Sequence, residues 1–202
     1  MEYDERIELN ADGKTGLFKM HLAIAEQVLG LPKPKDNTLK EVFGLTTAEL
    51  RQELDSPALE LTDVRVHVTR GMRHLYVVCR IKDARKLTAS KALADRRMSL
   101  VRDADGKWSF HQEIVVSERS LTRTEQPGIL KQLEARFGSQ KVRQMLSKYH
   151  LSFSISFPDG FTAESPHGRV HRRRTVIWKR GLDQLAYKRR SWRMEASFVR
   201  KS

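Results

Sequence analysis

An α+β fold on a mainly antiparallel sheet is the class that three observations predict. There are three hairpin patterns of period two and one long stretch of period three to four, and nowhere do strands alternate regularly with helices as a parallel sheet requires. At 202 residues, 39% hydrophobic and 31% charged, the chain has apolar material for one sizeable core and no linker-like stretch to divide it. Residues 1–202 are therefore expected to form a single domain.

The first hairpin sets Tyr3, Glu5, Ile7 and Leu9 against Glu2, Asp4, Arg6 and Glu8, and turns at Asp12-Gly13. It returns with Phe18, Met20, Leu22 and Ile24 in opposite phase to Lys19, His21 and Ala23. A loop over residues 30–37 follows. Thr38-Leu39-Lys40-Glu41 and Thr46-Thr47-Ala48-Glu49 both carry the capping-box spacing ahead of apolar residues, which predicts one or two short helices. Val64, Val66 and Val68, a turn at Gly71, then Leu75, Val77, Cys79 and Ile81 make the second hairpin. The third runs from Met98 through Asp103-Ala104-Asp105-Gly106 to Trp108, Phe110, Gln112, Ile114 and Val116.

From residue 126 to 149 the period lengthens. Ile129, Leu130, Leu133, Phe137, Val142, Met145 and Leu146 form the stripe of one long amphipathic helical segment, with a kink or break at Gly138-Ser139, and the stripe is expected to pack on the sheet. In the strand at 150–157, Leu151, Phe153, Ile155 and Phe157 point to the core, and His150, Ser152, Ser154 and Ser156 point to water. Thr175-Val176-Ile177-Trp178 and the alternation Trp192, Met194, Ala196, Phe198 give two closing strands, expected to pair as a hairpin.

Charge is concentrated at one end. The formal net charge is +13, and residues 169–202 alone hold twelve Lys and Arg against the two acids Asp183 and Glu195. Such density repels itself and favours anionic partners. Arg172, Arg173, Arg174, Lys179, Arg180, Lys188, Arg189, Arg190 and Arg193 are the candidate anion-binding residues of this basic C-terminal strand region. A solvated surface that merely keeps the protein soluble is the bland alternative. A sequence pI near 10.1 and the interleaved Trp178, Tyr187 and Trp192 are the features that admit nucleic acid as an alternative partner, although no helix-turn-helix, RNP or zinc-finger signature accompanies them.

The opening Tyr3-Asp4-Glu5-Arg6-Ile7-Glu8-Leu9-Asn10-Ala11-Asp12-Gly13-Lys14-Thr15-Gly16 resembles the first strand and Asp-Gly turn of bacterial envelope lipoprotein domains of the LppM-like type. Leu151-Ser152-Phe153-Ser154-Ile155-Ser156-Phe157-Pro158-Asp159-Gly160, followed by Thr175-Val176-Ile177-Trp178, is similar to that family's strand ending in Pro-Gly and its later Val-x-Trp strand. Met1 stands where the family carries its lipid-attachment cysteine, Asp159 separates Pro158 from Gly160, and His167-Gly168 replaces an Asn-Gly turn. The resemblance implies an extracytoplasmic, membrane-tethered, non-enzymatic domain onto which no catalytic residues carry over, and the basic C-terminal region is what directs the expected partners to anionic membrane or envelope components.

Other chemistry finds little support. The single cysteine, Cys79, excludes an intramolecular disulfide framework and multi-cysteine metal schemes, and its apolar strand predicts a buried hydrophobe. No apolar run reaches the roughly 20 residues of a membrane-spanning helix, and the acidic start is not a signal-peptide n-region, so a soluble chain is expected. His167 and His171 lack both a third ligand and the H-E-x-x-H pattern, and His67 and His74 flank a turn as surface residues able to approach across strands. There is no G-x-S-x-G elbow and no phosphate-cradling G-x-x-x-x-G-K-[ST] loop, and Asp103 and Asp105 suit a turn. The expectation is a non-enzymatic binding or structural domain with no cofactor and no metal.

Overall fold

The computed structural model describes residues 2–26, 33–93, 96–114, 134–135, 137–188 and 192–200. Strands β1 (Glu2–Leu9) and β2 (Gly16–Ala25) form the first hairpin, closed by a turn in which Asp12 accepts from the backbone N–H groups of Lys14 and Thr15. Gly13 is required there for two reasons: its φ is +62°, and a Cβ would run into the ring of Trp108. Helices α1 (Leu39–Phe43) and α2 (Thr47–Leu54) follow, α1 capped by Thr38 and α2 by the full capping box of Thr46 and Glu49. Strands β3 (Leu59–Thr69) and β4 (Met72–Ile81) turn through Arg70-Gly71, both at positive φ as a two-residue hairpin loop demands. Arg73, fully buried on β4, donates to the Val42 carbonyl at 2.7 Å and so ties α1 to the sheet.

The third hairpin, β5 (Arg96–Arg102) and β6 (Trp108–Ile114), starts a separate layer. After α3 (Ser139–Ser147) come β7 (His150–Ser156), β8 (Phe161–Glu164), β9 (Arg169–His171), β10 (Thr175–Gly181), α4 (Leu182–Lys188) and β11 (Trp192–Arg200). The strands sort into a seven-stranded sheet, β3-β4-β2-β1-β7-β10-β9, and a four-stranded sheet, β5-β6-β11-β8. Aromatic rings knit the two together. Phe110 of the small sheet stacks on Phe153 of the large one at 5.7 Å, and Phe157 on Phe198 at 4.3 Å. A polar clamp joins the same layers: Glu5 of β1, 1% exposed, accepts from the Tyr3 hydroxyl at 2.6 Å and forms an ion pair with Arg96 of β5. Burial and the charge of Glu5 push the Tyr3 hydroxyl well above its ordinary range. Burial pulls the Arg96 guanidinium down, but Glu5 and Tyr3 outweigh it and leave the cation favoured.

Antiparallel pairing and the α+β class are as expected, with four corrections. First, β1 and β7 pair in parallel, the one such pair among the described residues. Second, β10 and β11 do not make a hairpin: β10 pairs with β7 and β9, whereas β11 pairs with β6 and β8. The seven-residue α4 lies between them and carries the chain from one sheet to the other.

Third, no long amphipathic helix forms among the described residues. Ile129, Leu130 and Leu133 lie outside them, and the remainder gives the nine-residue α3. Gly138, at φ 79°, ends the helical turn before α3 begins, so positions on its two sides do not share one 3.6-residue phase. Val142 is buried, but Phe137 and Met145 are 40% and 42% exposed. Fourth, the serine face of β7 is not simply wet. Phe153, Ile155 and Phe157 are buried as the alternation predicts, yet Ser154 on the opposite face is only 8% exposed, because β7 is an interior strand with Arg6 and Ile177 beside that serine.

Phe153 lies 5.7 Å from the Phe110 ring and 5.8 Å from Trp178, at the centre of the contact between sheets. Phe153→Ala is expected to cost about 3–5 kcal/mol, read as a fall in the urea midpoint with an unchanged m-value.

Candidate functional site

A groove of about 950 Å³ lies on the face of the seven-stranded sheet that points away from the small sheet. Its floor is a ladder of three strands. The rungs read Glu8–Ser156–Thr175, Arg6–Ser154–Ile177 and Asp4–Ser152–Lys179 across β1, β7 and β10, with Glu2 and His150 at one end. The period of two in residues 150–156 thus places three serine hydroxyls in line, each able to donate one hydrogen bond. At the other end stand Pro158 and the loop Arg172–Arg173–Arg174 between β9 and β10.

That loop is conformationally costly. Arg172 and Arg173 take φ of 49° and 60°, a region where a residue with a Cβ is worse off by roughly 1–2 kcal/mol than in its right-handed conformations. The strain is held by hydrogen bonds to the loop's carbonyls: the Ala163 N–H donates to Arg173 at 2.6 Å and the Phe157 N–H to Arg174 at 3.1 Å. Glycine or asparagine would sit there with less strain, so arginine's presence calls for a reason other than folding.

The charges of the groove divide into satisfied and unsatisfied groups. Asp4 pairs with Arg6 at 2.6 Å, Glu8 with Lys19 at 2.6 Å, and Arg174 with Asp159 at 3.2 Å. Arg172 and Lys179 are exposed and have no acidic partner among the described residues, and the exposed carboxylate of Glu2, beside His150, likewise has no basic partner among them. Two free cations therefore flank a floor of serine and threonine hydroxyls, the donor set that oxyanions such as phosphate recruit.

The other basic residues of the expected site are dispersed. Arg173 is exposed at the loop tip, while Arg180 points to the opposite face and lies 5.9 Å over the Trp192 ring. Arg193 is on the small sheet, 4.0 Å from Glu113, and Lys188 ends α4. Arg189 and Arg190 lie outside the described residues. Among the described residues the basic strand region is thus parted between two sheets, and the groove gathers only Arg172, Arg174 and Lys179 of it. Ser152, Ser154, Ser156, Thr175 and Arg6 were not among the sequence candidates. The alternation in 150–156 did separate the serines from the core, but not until β1 and β10 flank them does that face become a groove floor.

Trp178 and Trp192 are 3% and 5% exposed, members of the core rather than platforms for bases. Cys79 is buried and its thiol is pushed up to about 12, by burial and then by the charge of Asp55, which leaves it unionised at neutral pH. Among the described residues no group of three or more His, Cys, Asp or Glu side chains is placed to hold a metal ion, and no helix is long and apolar enough to cross a membrane.

No protein-family model matches the sequence, and no curated protein matches it. Among solved structures, the chain is similar to the folded domain of the LppM protein of Mycobacterium tuberculosis, with a TM-score of 0.46 and 12% identity, over 100% of this chain and 90% of that one. This is a weak resemblance of fold.

If the arginine loop is strained as its dihedrals indicate, Arg173→Gly should stabilise the protein. The expected gain is about 0.5–1 kcal/mol, the left-handed penalty less the extra chain entropy of glycine. Thermal denaturation checks it: a melting temperature at or below that of the wild type would show that the loop carries no such strain.

Proposed function

We propose that the protein is a non-enzymatic binding domain that takes an anionic phosphate headgroup of an envelope lipid into the groove over β1, β7 and β10. The observation that carries this reading is the placing of Arg172 and Lys179, free of acidic partners, at the groove whose floor is Ser152, Ser154 and Ser156. Arginine at a left-handed position supports it, since the strained loop sets the Arg172 guanidinium at the groove mouth. The resemblance of both chain ends to envelope lipoprotein domains directs the reading to a lipid headgroup rather than a free anion.

In this arrangement the serine hydroxyls donate to the phosphate oxygens, and Arg172 and Lys179 supply charge from the two ends. Strand rise puts the Cα atoms of residues 174 and 179 about 16 Å apart, so one small anion meets one cation closely and the other at longer range. Desolvation stays modest, because the groove is open and its cations already face water. Chemistry on the ligand is not part of the proposal. A deeper nucleophile and base pair would be needed, and Cys79, held unionised in the core, offers none.

Co-sedimentation with phosphatidylglycerol and phosphatidylcholine vesicles tests the reading. Binding is expected to the first and not the second, and Arg172→Gln with Lys179→Gln should weaken it about thirtyfold at roughly 1 kcal/mol per cation. Arg193→Gln, on the other sheet, should change it little. Equal loss in both variants would mean diffuse charge rather than a groove, equal binding to both lipids would reject the headgroup, and tight binding to single-stranded DNA but not vesicles would favour nucleic acid.

A further inference from the structure

One wall of the groove continues into a block of stacked rings. His67 and His74 are cross-strand partners on β3 and β4, with ring centroids 4.6 Å apart at 12°. On β2, His21 lies 4.2 Å from the Tyr76 ring at 6°, and its Nε2 is 3.2 Å from Nδ1 of His74. That contact has room for a single proton, because one nitrogen must donate while the other offers a lone pair. A second proton sets two N–H groups against each other, beside a third imidazole.

His21 also lines the groove and stands directly across the ladder from Asp4. Around it are Glu2, Asp4 and Arg6 from β1, Lys19 on its own strand, Tyr76 and His74 from β4, and His67 and Arg65 from β3. Burial lowers the pKa of both His21 and His74. For His74 the neighbouring His67 and His21 lower it further, whereas Asp4 and Glu2 pull His21 back toward the cation. Both His21 and His74 are thus held toward the neutral form, and His21 is the one of the three imidazoles that lines the groove, where a charge on it reaches a bound anion.

We propose that this histidine block makes anion capture in the groove proton-dependent, with His21 as the group that charges; the proposal rests on the groove reading above. A cationic His21 offers Asp4 a second partner in competition with Arg6, which now holds that carboxylate at 2.6 Å. Arg6 is then released beside Ser154, and the groove gains positive charge at its floor. The sign follows from linkage. A lowered folded-state pKa means that the unfolded chain takes the proton first, so His21 and His74 cost stability as pH falls from the ordinary histidine value of about 6.5 through the lowered one. A bound anion favours the charged form, so binding takes up protons in that same window and tightens as pH falls.

Phosphatidylglycerol vesicles are a suitable probe, because the phosphodiester keeps its charge between pH 7.5 and 5.5. Wild-type protein is expected to bind about three- to tenfold more tightly at pH 5.5, within the limit of tenfold per pH unit for one linked proton. His21→Gln should abolish the difference. In parallel, the His21 ring followed by NMR in intact wild-type protein should titrate at higher pH with vesicles present, which covers a variant that fails to fold. An unshifted His21 midpoint, or a pH difference that survives His21→Gln and vanishes in His150→Gln or His171→Gln, would overturn the proposal. A wild type with no pH difference, still weakened by Arg172→Gln and Lys179→Gln, would overturn it and leave the groove reading standing. Absence of binding at both pH values would end both.

Discussion

The parallel ladder between β1 and β7 joins residues 2–8 to residues 150–156, and the rest of the architecture hangs on that pairing. It inserts the first strand into the interior of the large sheet, between its own hairpin partner β2 and a strand far along the chain. It also fixes both faces at once. On the inner face Glu5, Ile7 and Phe153 meet the small sheet; on the outer face Asp4, Arg6 and Glu8 are set beside Ser152, Ser154 and Ser156. A slip of one residue would send the carboxylate of Glu5 to the groove and leave Arg96 without its partner.

The clamp of Glu5, Tyr3 and Arg96 makes that register costly to change. A buried carboxylate is tolerated here because it has a hydroxyl donor and a guanidinium, and taking away one member would strand the other in the core. Around it the attraction between sheets is apolar and aromatic: Trp108, Phe110, Phe153, Phe157, Trp178 and Phe198 are all buried. Rigidity on the inner face is what allows the outer face of the same three strands to hold polar side chains in fixed rungs.

Much of this was legible locally. Hairpin turns and helix caps depend on residues a few positions apart, so Asp12-Gly13, Gly71 and the Thr46–Glu49 box announce themselves in the sequence. The alternation in β7 likewise marked Phe153 and Ile155 as core. Long-range pairing leaves no such mark. Nothing in residues 2–9 says that their second neighbour is β7, and nothing in residues 192–200 says that they leave the strand at 175–181 for another sheet. For that reason the basic residues looked like one hairpin cluster, while the structure divides them and gathers a smaller set with serines that a linear reading assigned to water. The histidine block was half visible: His67 and His74 flank a turn, but His21 joins them only through the β2–β4 ladder.

Whether an anion binds in the groove is tested most directly by chemical-shift mapping of the labelled protein with glycerol phosphate. Saturable changes confined to Ser152, Ser154, Ser156, Arg172, Thr175 and Lys179 are the predicted result. Changes centred instead on Arg193 and Arg200 of β11, or spread evenly over every exposed basic residue, would contradict it.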